Sequence, residues 1–139
     1  MSTVLNPYLN FRGQAREAMT FYQSVFGGQL DVMTFGDMGG MGVPENEADQ
    51  VMHSALSVSE SVQLMGSDVP SHMEGDFPNG SISLSGDDEA TLRDWFDRLS
   101  DGGTVGVPLE KAPWGDSFGM LTDRFGVSWL VNIAGSSES

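Results

Sequence analysis

The sequence predicts an α+β fold, built twice on the order strand, helix, three strands. Three observations carry this. Two stretches have helical periodicity, short strand-like runs flank them, and landmarks in the two halves recur at nearly constant spacing. The aromatic pairs Phe21-Tyr22 and Trp95-Phe96 lie 74 residues apart, and Gly27-Gly28 and Gly102-Gly103 lie 75 apart. This is one internal duplication, with too few copies for a solenoid.

The elements follow in order. PYLNF (7–11) reads as a first strand. Gln14 to Phe26 reads as a helix, because Ala15, Ala18, Met19, Tyr22, Val25 and Phe26 form one apolar stripe at three- and four-residue spacing. Gly27-Gly28 supplies its left-handed exit. Three extended stretches follow: 29–36, 51–58 and 61–66. The second half opens with SISLS (81–85) and a helix from Asp87 to Ser100. Leu92, Trp95, Phe96 and Leu99 form its stripe, and Asp87, Asp88 and Glu89 suit its positive end. Stretches 104–110, 118–123 and 127–133 complete the half. Asp123 to Gly126 reads as the turn into the last strand, with Gly126 free to take a positive φ. One domain is expected over 1–139, with module one at about 5–66 and module two at about 81–134.

Two connections of about 14 residues, 37–50 and 67–80, stand at the upper edge of ordinary loops. Met38 and Met41 in the first could meet an apolar ligand or a partner, or lie in a disordered acidic loop.

Composition removes whole classes of function. A hydrophobic content of 39% argues against disorder. No apolar run approaches the roughly 18 residues of a membrane span, and no secretory leader is apparent. The absence of Cys excludes disulfides and Cys-based zinc sites, so a cytoplasmic location is the expectation. Six basic against 20 acidic residues give a net charge of −14, with Lys111 the single lysine. Such a surface repels phosphate backbones and anionic lipid, so neither nucleic acid nor membrane is an expected partner. It fits high-salt adaptation, attraction of cationic ligands, or simply a well-solvated acidic surface.

The segments PYLNFRGQAREAMTFYQSVFGGQL, HSALSV, QLMGSD, WFDRLSDGG and PWGDSFGMLTDRFGVSWLVNI, in this order and spacing, resemble the vicinal oxygen chelate superfamily (glyoxalase/bleomycin resistance/dioxygenase) over about residues 5–134. Within it they look most like the PhnB-like branch. The resemblance implies two paired βαβββ modules curled into a cup-shaped mixed sheet around a small-molecule cavity, and a homodimer. Metalloenzymes of the superfamily hold a divalent ion through His, Gln and Glu on the first and last strands of each module. Those positions fall here near Pro7, Leu64, Ser81 and Leu130, none of them His, Asp or Glu. No metal site is therefore expected, and Asn132 is the nearest polar residue to the last of the four. Demethylubiquinone methyltransferase chemistry, sometimes attached to PhnB-like chains, is not expected either, because no glycine-rich nucleotide-binding turn is present.

The candidate site residues divide by strand. His53 sits in VMHSALSV, where alternation groups it with Ala55 and Ser57. The branch resemblance also carries a His at this point. It is either an acid/base or ligand anchor in the cavity, or a strand-end His bonded to backbone. His72 reads as an exposed loop residue. Gln63 either enters the cavity or faces solvent. On the first strand, either Tyr8 and Asn10 or Pro7, Leu9 and Phe11 face the cavity. In KAPWGDSFGML, Trp114, Asp116 and Phe118 fit a ligand-binding rim, with Gly115 and Gly119 permitting close approach; a plain hairpin with a core Trp is the alternative.

The leading expectation is a small-molecule-binding protein with no cofactor, as the resemblance to stoichiometric drug-resistance proteins implies. The alternative is a glyoxalase-class lyase or dioxygenase in which His53 joins Gln63 or Asp116 as displaced ligands; a divalent metal enters only there. The third is a noncatalytic interaction module using strand edges and the Met-bearing loop.

Overall fold

The computed structural model describes residues 5–40, 42–75 and 78–135. Two compact units divide at Asn79/Gly80. The first holds β1 (Tyr8–Phe11), α1 (Ala15–Phe26), β2 (Gln29–Thr34), β3 (Val51–Ser57) and β4 (Gln63–Asp68). The second holds β5 (Ser81–Gly86), α2 (Glu89–Ser100), β6 (Thr104–Lys111), β7 (Ser117–Thr122) and β8 (Ser128–Ile133). Their sheets run β1-β4-β3-β2 and β5-β8-β7-β6. In each, the first strand lies parallel to the last and the other pairs are antiparallel. Both units are therefore βαβββ modules with mixed four-stranded sheets.

One face of each sheet carries a helix. In the first unit Leu9, Phe11, Leu56 and Leu64 are buried together with Ala15, Ala18, Met19, Tyr22 and Val25 of α1. In the second, Leu121, Trp129, Val131 and Ile133 are buried with Leu92, Phe96 and Leu99 of α2. Each large aliphatic side chain so removed from water contributes about 1.5–3 kcal/mol before chain entropy is set against it. Where each helix turns into the next strand, a glycine is required by contact. A Cβ on Gly28 would strike the Ser57 carbonyl, and one on Gly103 the Thr122 carbonyl.

Several element ends differ from the sequence expectation. β4 runs from Gln63 to Asp68, two residues later than expected at both ends. Residues 61–62 are drawn into a turn, where Val58 and Ser59 both donate to the Val62 carbonyl, while Ser67 and Asp68 pair with Asn10 and Phe11. α2 begins at Glu89 because Asp88 serves as its cap: the carboxylate accepts from the Thr91 backbone N–H at 3.2 Å and the Thr91 hydroxyl at 2.8 Å.

The described residues of the connection from β2 to β3 include local structure: two 3-10 turns, Gly36–Met38 and Glu45–Glu47. Glu47 is buried and accepts from the Ser71 N–H at 2.9 Å and hydroxyl at 2.5 Å. Met38 is exposed, and Met41 lies outside the described residues. After β4 the chain is also held by Arg12, whose guanidinium donates to the carbonyls of Pro70 at 2.9 Å and Met73 at 2.7 Å. Asn79 ends the unit. Its side-chain amide accepts from the Asn10 N–H at 2.7 Å and donates to the Asn10 carbonyl at 3.1 Å, as a neighbouring strand would.

Candidate functional site

The first sheet settles which alternating set lies opposite the helix. Leu9 and Phe11 are buried on the α1 side, so Tyr8 and Asn10 point the other way. Tyr8 pairs with Met65, Met65 with Ala55, and Ala55 with Asp31. Directly opposed residues share a face, so the open face carries this row across all four strands. His53 belongs to it as well, two residues from Ala55 and opposite Met33. Gln63 also belongs, opposite Ser57. Tyr8, Asn10, His53 and Gln63 thus share one surface.

Two of them touch. The Tyr8 hydroxyl lies 3.5 Å from His53 Nδ1, at the outer limit of a hydrogen bond. The rings stack at a centroid distance of 6.0 Å and an interplanar angle of 27°. His53 is half-buried, while Tyr8 is 44% exposed. Among the described residues, the hydrogen-bond partner of the His53 ring is Tyr8, not backbone at the strand end. His72 is exposed, as expected. Strand alternation alone does not single out Met33, Met65 or Asp31; only the cross-strand register joins them to this face.

The second unit presents a different surface at the same positions. His53 stands four residues before Ser57, and Phe118 four before Thr122, the two residues whose carbonyls meet the helix-exit glycines. Phe118 therefore corresponds to His53. It pairs with Asn132 on one side and Glu110 on the other. Ser83 pairs with Leu130 and Ser85 with Asn132, where Tyr8 and Asn10 pair with Met65 and Ser67.

Trp114 is 66% exposed, which excludes the core-Trp alternative. Its ring lies 6.3 Å from that of Phe118. The buried tryptophan is Trp129, whose indole N–H donates to Asp123 at 2.8 Å. Asp116 is committed at both oxygens, accepting from the Gly135 N–H at 2.8 Å and the Asn132 side-chain amide at 3.1 Å. Those donors stabilise its charged form and hold its carboxyl below the usual range. It fastens the β6–β7 hairpin to the end of β8.

The duplicated module and the motif order meet their counterparts among known proteins. Residues 4–131 match the family model of the Glyoxalase/Bleomycin resistance protein/Dioxygenase superfamily. The chain belongs to this superfamily. It is 30% identical over 140 residues to Protein YjdN of Escherichia coli strain K12, covering 93% of this chain and 94% of that protein. Among solved structures it is similar to protein PA1353 from Pseudomonas aeruginosa, with 40% identity, a TM-score of 0.81, and coverage of 97% and 100%. The PhnB protein from Bacillus cereus matches at 25% identity and a TM-score of 0.68, over 95% of this chain and all of that one.

The superfamily's divalent metal can be tested against the donors present. Leu64 is buried on the α1 side, so it is not an open-face position of β4; Gln63 and Met65 are. Leu130 lies on the open face of β8 but is apolar. The first strands offer a phenol, an amide and serine hydroxyls, and His53 is a lone imidazole on β3. Among the described residues no three His, Cys, Asp or Glu side chains converge. A hard or borderline divalent ion needs several such donors, so this set does not fit one. Among the described residues, no helix is long and apolar enough to cross a membrane.

Proposed function

We propose that this chain binds a small organic molecule on the open sheet face of its first unit, and that it does so as a homodimer. The contact between Tyr8 and His53 carries the reading. A flat, partly exposed aromatic pair gives a ligand a stacking surface, and the Asn10 and Gln63 amides on the same face offer hydrogen bonds that orient it. Membership of the Glyoxalase/Bleomycin resistance protein/Dioxygenase superfamily supports the class without naming the ligand. Exposed Val105, Val107 and Trp114 support an apolar contact with a second copy.

A thermal-shift screen of small aromatic compounds tests the binding. A true ligand raises the melting temperature of the wild-type chain but not that of a Tyr8→Leu/His53→Ala double variant. Hits that shift both proteins alike would exclude this face. Sedimentation equilibrium tests the dimer, and a monomer mass at micromolar concentration would reject it.

The Tyr8 hydroxyl beside Nδ1 favours one second reading, in which His53 passes a proton to or from a bound substrate. On that reading His53→Ala abolishes turnover while binding survives. Turnover unchanged in that variant would remove His53 from any mechanism.

A further inference from the structure

The open face of the first unit also has a defined electrostatic character. Asp31 is the single carboxylate among the strand positions of this face, and neither Lys nor Arg stands among them. Asp31 lies diagonally across from His53, two residues from Met33, at a spacing of roughly 7 Å for such neighbours. A ligand the size of a fused ring system spans that distance. Tyr8 supplies an aromatic ring that is 44% exposed, and Met33 a thioether side chain that is 40% exposed. Met65 lies beside Tyr8.

Each of these groups favours positive charge on a flat apolar body. An aromatic face attracts a cation through its quadrupole. Thioethers are polarisable and pack against aromatic edges. The Asp31 carboxylate adds a local countercharge, and the net charge of −14 draws cations from solution. An anionic ligand would meet neither Lys nor Arg among the strand positions of this face.

Building on the binding function just proposed, we infer that the preferred ligand class is a planar aromatic cation, stacked on Tyr8 and His53 with its charge toward Asp31.

Two probes of nearly equal shape test this: N-methylacridinium, permanently charged, and acridine, which is uncharged at about pH 8, above the range in which free imidazole titrates. Affinities are measured on the full chain by fluorescence titration at near-physiological salt. The expected result is binding of the cation about tenfold tighter than the neutral probe. That ratio should fall to about threefold or less in Asp31→Asn, and both affinities should fall in Tyr8→Leu. Asp97→Asn, which removes one exposed charge from α2, should keep the wild-type ratio. Equal binding of both probes would overturn the cation preference and leave the binding function standing. A preference lowered as much by Asp97→Asn as by Asp31→Asn would also overturn it, because the overall charge would then be the cause. If neither probe bound, this inference would fall, while hits from the uncharged part of the screen would still uphold the face as a binding site.

Discussion

α1 and α2 are both 12 residues long and leave through equivalent glycines, yet they begin in different ways. α2 carries its own cap, Asp88, one residue before its first turn. α1 has Gln14 in that place, with no side-chain cap. The missing acceptor comes from Asp68, 53 residues further on, which accepts from the Ala15 N–H at 3.0 Å and the Gly13 N–H at 2.7 Å. Its other oxygen takes the Val51 N–H at 2.9 Å. One helix is therefore started locally, and the other only when β4 is in register. The same carboxylate ties together the entry to α1, the start of β3 and the end of β4. These segments flank the strands that carry Tyr8 and His53.

The sharpest way to break this contrast is Asp68→Ala. It leaves up to three backbone N–H groups without their acceptor in a site where Asp68 is 3% exposed, and should cost about 3–5 kcal/mol in urea unfolding. The helix-exit glycines come next. Gly28→Ala and Gly103→Ala each force a Cβ into backbone, and each should lose about 2 kcal/mol or more by the same measurement. Gly28→Ala should lose the more, because its φ of 89° disfavours any side chain, whereas Gly103 does not have a positive φ; the reverse order would mean that the backbone strain at Gly28 is relieved elsewhere.

Asp88→Ala should cost only about 1 kcal/mol, the usual worth of a local cap. A loss equal to that of Asp68→Ala would erase the distinction between the two helix starts. The smallest expected effect is in acid. Hydrogen bonds from the Ser71 hydroxyl and N–H hold the Glu47 carboxyl below its ordinary value of 4.5, against the opposing effect of burial. A depressed folded-state pKa contributes stability that is present above the unfolded value and lost as pH falls through the folded one. Glu47→Gln should therefore flatten the decline in melting temperature below pH 4.5 relative to wild type. An unchanged slope would detach Glu47 from acid unfolding.

Much of this was legible in the sequence because the signals are local. The apolar stripes of both helices, the double glycines and the order of strands can each be read within a few residues. Asp88 before Glu89 is legible for the same reason. Asp68 is not, because nothing near it says that its partners lie at Gly13, Ala15 and Val51. It falls in a stretch, 67–80, that reads as a loop. The candidate face is legible in its parts: Tyr8, Asn10, His53 and Gln63 each stand out in the sequence, and the choice of alternating set on β1 needs the burial of Leu9 and Phe11 to decide it. Asp31 and the two methionines needed cross-strand register, which a single strand does not encode. Trp114 reads equally as core or rim in a hairpin. It stands in the turn between β6 and β7 and is exposed there, while Trp129, within β8, is the buried tryptophan.

The Asn79 amide that mimics a strand beside Asn10 has a chemical consequence over time. Asn79 is followed by Gly80, which has no side chain to hinder attack of its backbone nitrogen on the amide carbon. That attack expels ammonia, and water opens the resulting ring to Asp or, with the backbone rerouted through the side chain, to isoAsp; neither keeps the Nδ2 donor. The acceptor toward the Asn10 N–H survives in the Asp product. The donor toward the Asn10 carbonyl does not, so an oxygen would face an oxygen across the edge of β1. An aged preparation should therefore accumulate a more acidic species with a weakened first strand, visible as faster amide exchange at Asn10. The lifetime of that edge is set by how long one side-chain amide lasts.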